Sequence, residues 1–209
     1  MKKLLHIIAS PRGEKSRTLE ISQVFLESLK KNHPDFEIDE INVFEESLPS
    51  LTIKRVDGKY ILLGGKEITG EIKKEWEEIE KYIKRFLSAD YYLISTPMWN
   101  FSIPYPLKHY IDVIIQPRYM FIYTADGPQG LVKNKKMFII TTRGGDYSET
   151  SPGHKYDFQE PYLRTIFGLA GITDITFINA QPMDASGQEV MREKIEKAKS
   201  EAIKVASSL

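Results

Sequence analysis

The chain has 209 residues, and its 29 Lys and Arg balance 29 Asp and Glu, so it lacks the basic excess with which nucleic-acid binders neutralise phosphates. It contains no cysteine, which excludes disulfides, thiolate nucleophiles, iron–sulfur clusters and Cys-ligated zinc. A content of 41% hydrophobic and 28% charged residues fits a globular chain rather than a disordered one, and one domain over residues 1–209 is expected, able to bury about 70% of its surface on folding.

The first residues, Met1-Lys2-Lys3 and the apolar stretch to Ala9, have the basic start of an export signal. The stretch ends at Ser10-Pro11-Arg12-Gly13, too early for a signal sequence, and reads instead as a strand over Lys3–Ala9. No run approaches the about 18 apolar residues of a membrane span, so a cytoplasmic protein with no membrane partner is expected. Leu19, Ser22, Phe25, Leu26 and Leu29 then recur at helical spacing. Residues 36–43 alternate as a strand with one exposed face, placed near a sheet edge. Residues 44–65, with Pro49, Gly58, Gly64 and Gly65, match neither period and read as a long surface excursion.

Ile68, Ile72, Trp76, Ile79, Ile83 and Phe86 mark an amphipathic helix whose many Lys and Glu form its solvated face. Tyr91–Thr96 reads as a buried strand stopped by Pro97. A helix follows Pro106 to about Gln116, then strands at 120–123 and 136–141, a helix over 159–169, a strand at 175–178 and a closing helix through Val190, Ile195, Ala198, Ala202 and Val205. Strands alternating with helices imply an α/β fold, a doubly wound parallel sheet covered on both faces. In such sheets ligands bind beyond the carboxyl ends of the strands.

Three of those ends carry distinctive chemistry. After the first strand, Ser10-Pro11-Arg12-Gly13-Glu14-Lys15-Ser16-Arg17-Thr18 leads into a helix whose first N–H groups are unpaired. Ser16 and Thr18 offer hydroxyls and Arg17 a charged donor for an anion, although the loop taken alone slightly favours the plainer reading of Ser16 as a helix cap. The pattern is neither a Walker loop nor G-x-G-x-x-G, which favours one terminal phosphate over a nucleoside triphosphate or a dinucleotide. After the third strand, Pro97-Met98-Trp99-Asn100-Phe101-Ser102-Ile103-Pro104 is stiff and aromatic, suited either to a planar heterocycle or to plain packing. Thr142-Arg143-Gly144-Gly145 permits close backbone approach or merely a tight turn. Together, on successive strand ends, the three loops match the phosphate and the two ring edges of FMN.

These residues resemble the family of FMN-dependent NADH:quinone oxidoreductases and azoreductases, a branch of the flavodoxin-like fold. The resemblance also rests on Leu107-Lys108, Ile111-Asp112, Phe121, Tyr123-Thr124, Gly127-Pro128, Gly130-Leu131, Pro161-Tyr162-Leu163, Gly168 and Gly171-Ile172-Thr173, and so runs through nearly the whole chain. Trp99 stands where the family often has Tyr, and Thr142 where Ser is common. The resemblance implies that Ser10, Ser16, Arg17 and Thr18 hold the FMN phosphate, that the loop from Pro97 through Met98, Trp99, Asn100 and Phe101 lines the isoalloxazine, and that Thr142, Arg143, Gly144 and Gly145 bind its far edge. It further implies a homodimer with flavin sites at the interface, and that Tyr123 and the region of Ile166 and Phe167 cover the flavin.

The expected reaction is hydride transfer from NADH or NADPH to FMN and onward to a quinone or, secondarily, an azo acceptor, in ping-pong order. The flavin carries the redox chemistry, so no catalytic side chain is assigned. Trp99, Tyr123, Tyr147 and Phe167 are the expected substrate contacts, Tyr147 serving either as a hydrogen-bond donor to the acceptor or as a structural residue. The alternative is a flavodoxin-type electron carrier or redox-regulatory FMN-binding module. A hydrolase is disfavoured by the lack of a G-x-S-x-G elbow, and the four histidines show no metal-ligand spacing. His109, just beyond the aromatic loop, is the one to inspect.

Overall fold

The computed structural model describes residues 2–209. Five strands, β1 (Lys2–Ile8), β2 (Phe36–Asn42), β3 (Tyr91–Pro97), β6 (Lys136–Thr142) and β7 (Asp174–Ala180), form one parallel sheet in the order β2-β1-β3-β6-β7. Two further strands, β4 (Phe121–Thr124) and β5 (Gly127–Gly130), pair antiparallel as a separate ribbon. The strand expected near 120 therefore exists, but outside the main sheet.

Side chains on alternate residues of a strand point to opposite faces, and both faces are covered. Leu4, Leu93, Phe138, Ile140 and Ile178 meet α1 (Arg17–Asn32) and α6 (Gly187–Ser207) through Phe25, Leu29, Ala198 and Ala202. Leu5, Ile7, Tyr92, Ile94, Met137 and Ile139 meet α3 (Gly70–Leu87), α4 (Tyr105–Ile114) and α5 (Glu160–Ala170) through Trp76, Phe86, Ile111 and Phe167. Two-sided burial explains why these strands read as continuous apolar runs. Edge strand β2 keeps its alternation, and its Asp39 pairs with Lys3 and Arg85 at 3.1 and 2.6 Å.

Residues 44–65 are not a featureless excursion. They contain α2 (Ile53–Leu63), capped by Thr52, whose hydroxyl accepts from the Arg55 amide. Gly58 lets α2 approach α3: a Cβ there would stand 2.7 Å from the Trp76 ring. Helical periodicity failed here because only Gly58 and Leu62 of α2 are buried, whereas Ile53 and Tyr60 are exposed. A glycine used for close packing looks, in sequence, like a glycine used to break a helix.

Candidate functional site

Because β1, β3 and β6 are neighbours in the sheet, the loops that leave their carboxyl ends converge. Ser10, Arg12, Ser16, Arg17, Thr18, Pro97, Met98, Trp99, Thr142, Arg143 and Gly144 all border one cavity of about 260 Å³. Ser16 caps α1 by accepting from the Leu19 amide at 3.3 Å, and its oxygen also accepts from the Ser10 hydroxyl at 2.8 Å. Capping and anion binding are thus compatible uses of one side chain. Thr18 and Thr142 hydroxyls lie 2.6 Å apart and join the first loop to the third. With the Ser10 hydrogen given to Ser16 and one hydrogen spent between Thr18 and Thr142, the Ser16 hydroxyl, the second hydroxyl hydrogen of the threonine pair, the Arg17 guanidinium and the start of α1 remain as donors of the kind a phosphate-sized anion requires.

The second loop is a two-residue reversal. Trp99 and Ser102 exchange backbone hydrogen bonds, each 2.9 Å, while Asn100 and Phe101 take φ of 46° and 69°. Two successive positive φ values define a type I′ turn, a conformation that costs a phenylalanine about 1–2 kcal/mol. The loop is held in that shape from outside: the Met98 amide donates to Thr142 O, the Phe158 amide to Phe101 O, and the Gln159 side-chain amide to Pro97 O, at 2.9 to 3.0 Å. Among the described residues, the amides of Asn100, Phe101, Gly144 and Gly145 donate to no other protein group. Free donors on two adjoining rigid loops suit the polar edges of a planar heterocycle.

Arg143 borders the cavity with its turn, as expected, while its side chain points into the fold. Its side chain is 1% exposed, with Nε donating to Thr141 Oγ1 and Gln159 Oε1 at 3.1 Å and Nη1 to Asp157 Oδ2 at 2.8 Å. Its Nη2 is buried 3.6 Å from Glu160 without a hydrogen-bond partner among the described residues, and the ties to Asp157 and Gln159 fasten the turn to the segment that starts α5. Phe167 corrects the sequence reading. It is fully buried and stacked on Phe86 at 6.2 Å, a core residue with no access to a substrate.

Tyr123 stands exposed on the β4–β5 ribbon, its ring edge against Phe121, and does not border the 260 Å³ cavity. Tyr147 does lie beside the third loop, since a Cβ on Gly145 would meet its hydroxyl at 3.2 Å. It also packs edge-on to Phe101 at 6.3 Å, and Phe101 stacks on Tyr156 at 5.3 Å. His109 is structural: its Nε2 pairs with Pro49 O at 3.0 Å, although it also borders a second hollow of about 610 Å³ with Trp99, Tyr105, Lys108 and Tyr162. There, burial pushes the Tyr162 phenol up to about 12.

Sequence reasoning missed a fourth strand-end loop. Met183 and Asp184, between β7 and α6, complete the cavity wall, and Arg17 Nη1 donates to Asp184 Oδ1 at 2.8 Å. The signal available was position alone: residues 181–186 follow the carboxyl end of the last strand.

The fold and this cavity at the carboxyl edge define a flavodoxin-like α/β protein, and residues 2–205 match the family model of the flavodoxin-like fold. The chain is 41% identical to an FMN-dependent NADH:quinone oxidoreductase of Clostridium beijerinckii over 206 residues, 97% of this chain and 98% of the relative. It is 34% identical to one of Nitratidesulfovibrio vulgaris, covering 99% of each. Among solved structures, an azoreductase from Bacillus anthracis superposes with a TM-score of 0.90 at 30% identity over the full length of both chains. An FMN-dependent NADH-azoreductase of that species, in complex with FMN, gives 0.84 at 29% identity, covering 99% of this chain and all of that one. The chain belongs to this family of flavodoxin-like proteins, that of the FMN-dependent NADH:quinone oxidoreductases.

Proposed function

We propose that this chain is an FMN-dependent oxidoreductase, a single FMN-binding domain over residues 1–209 that passes reducing equivalents from NADH or NADPH to a quinone and, secondarily, to an azo compound. One observation carries the reading: an anion cavity built from Ser10, Ser16, Arg17 and Thr18 adjoins two rigid loops with free amides at Asn100, Phe101, Gly144 and Gly145. That layout suits a phosphate ester joined to a flat polar ring. The named relatives, matched over nearly their whole length, support the same cofactor and donor.

Bound FMN would supply the hydride chemistry. The protein's part is to bind and orient. Arg17 and the hydroxyls hold the phosphate, the I′ turn and the Gly144-Gly145 turn fix the ring edges, and Arg143 keeps the latter turn from moving. Trp99 and Phe101, both partly exposed, offer flat apolar surface to planar donors and acceptors, and the Tyr147 hydroxyl is a hydrogen-bond donor within reach of the same loops.

We place the enzyme in the cytoplasm as a homodimer, joined over the exposed aromatic surface that includes Trp99, Tyr105 and Tyr123. None of the described helices is long and apolar enough to cross a membrane. A visible spectrum of the purified, FMN-reconstituted protein tests the reading: a bound flavin spectrum with one FMN per chain is expected, and no bound flavin would overturn it. With NADH and a benzoquinone, donor and acceptor use the same site in turn, so double-reciprocal lines should be parallel. Intersecting lines would instead show both substrates bound together and refute the ping-pong order.

A further inference from the structure

The wall of the anion cavity contains a carboxylate. Asp184 Oδ1 accepts from Arg17 Nη1 at 2.8 Å within a cavity that also carries the Ser10, Ser16 and Thr18 hydroxyls. A site shaped for a phosphate of charge about −1.5 to −2 gains nothing electrostatically from a second anion, because like charges at short range repel.

The position of this carboxylate is imposed by the backbone. The Asp184 and Ala185 amides both donate to Gly144 O, at 3.0 and 3.1 Å, and the Met183 amide donates to Arg143 O at 2.9 Å. The side chain itself is 70% exposed against 34% for Arg17, so it stands at the solvated rim of the cavity. Of the three arginines bordering the cavity, Arg143 is tied to Asp157 and Arg17 to Asp184. Arg12 lies at the exposed edge.

We infer that Asp184 is a specificity-determining counter-anion: it neutralises Arg17, the phosphate must share or displace it, and FMN is therefore held less tightly than the donor set allows. This rests on the FMN reading above. Riboflavin, which has no phosphate, escapes the competition, so Asp184 narrows the preference for the phosphorylated flavin over the unphosphorylated one.

The test is flavin titration, followed by quenching of flavin fluorescence, on the full chain and on Asp184→Asn and Asp184→Glu. Asparagine keeps an oxygen for Arg17 and removes the charge; glutamate keeps the charge. Asp184→Asn should bind FMN about tenfold more tightly, equivalent to about 1.4 kcal/mol, with riboflavin within about twofold of the parent and Asp184→Glu close to the parent for both. The gain for FMN should shrink as salt rises, since this carboxylate is solvent-exposed and screened.

Unchanged or weaker FMN binding by Asp184→Asn would overturn the inference and make Asp184 a positioning residue for Arg17. Equal tightening by both variants, equal tightening for riboflavin, or a gain insensitive to salt would also overturn it, because each points to shape rather than charge. Failure of the parent chain to bind FMN at all would instead bring down the functional reading on which the inference depends.

Discussion

The loops at the carboxyl end of the sheet and the α2–α3 pair at its flank are held by different forces. The loops are tied by directed polar contacts: Met98 to Thr142, residues 183–185 to Arg143 and Gly144, and the buried Arg143 to Asp157 and Gln159. The helix pair is held mainly by shape, with Gly58 of α2 against Trp76 of α3, together with one largely buried polar tie, Arg55 Nε of α2 donating to Glu75 O of α3 at 3.2 Å, and exposed ion pairs such as Lys54 with Glu71 that contribute about 0–1 kcal/mol each. Polar ties depend on which atoms are present, so they tolerate little chemical change. Packed surfaces depend on volume, so they tolerate little growth.

The sharpest way to break the comparison is Arg143→Met. Removing one partner of a buried ion pair leaves the other charge unpaired, at a cost of about 3–5 kcal/mol. Urea unfolding should show a loss of that size, with FMN and riboflavin affinities falling together as the Gly144-Gly145 turn loosens. Unaltered stability combined with a selective loss of FMN would return Arg143 to the cofactor-contact role that the sequence suggested.

Arg17→Ala probes the same end without its scaffold. Arg17 is partly exposed and paired only at the rim, so unfolding should barely change. FMN binding should weaken about 10- to 100-fold, as expected for a charge-assisted contact of about 1.5–3 kcal/mol, while riboflavin binding should change far less. Equal losses for the two ligands would show that Arg17 serves the fold or the ring.

Gly58→Ala tests the flank by sign. In a helix free of neighbours alanine would stabilise by about 1 kcal/mol. Here the added methyl meets the Trp76 ring, and overpacking of about 1–3 kcal/mol should outweigh the gain. A thermal midpoint lowered relative to the parent is expected, with flavin binding unaltered. A raised midpoint would mean that the two helices part without cost.

The comparison also explains what could be read from sequence. Donors such as Ser16, Arg17 and Thr18 announce themselves by residue type beside a strand end, and the buried strands by unbroken apolar runs. Four features were not legible, each for a physical reason. Phe167 carries the same side chain whether it stacks on a ligand or on Phe86. The burial of the Arg143 side chain against Asp157 follows from how the segment before α5 folds back on the turn, which no spacing between the two residues marks. Asp184 sits in a loop with no residue pattern of its own. The helix α2 hides behind Gly58 and exposed Ile53 and Tyr60.

The smallest effect concerns the polar tie at the sheet edge, where a flank element is fastened in the manner of the loops. Asp39 of β2 accepts two hydrogen bonds from Arg85 of α3, at 2.6 and 3.2 Å, and pairs with Lys3. The Arg85 hydrogen bonds are the main reason that its carboxyl is held below the ordinary range, against the opposing effect of burial. A lowered folded-state pKa contributes stability that is fully present above the unfolded value, about 3.9, and is lost as pH falls through the lower folded value. Asp39→Asn should therefore cost about 1 kcal/mol near pH 7. That difference from the parent should begin to shrink once pH drops below about 3.9, where Asp39 of the unfolded parent takes up a proton while the folded carboxylate, held lower, is still charged. Urea midpoints measured for both proteins from pH 7 to pH 3 would show it; a constant gap across that range would mean that Asp39 acts through packing, as Gly58 does, and that the edge of the sheet belongs with the helix pair rather than with the loops.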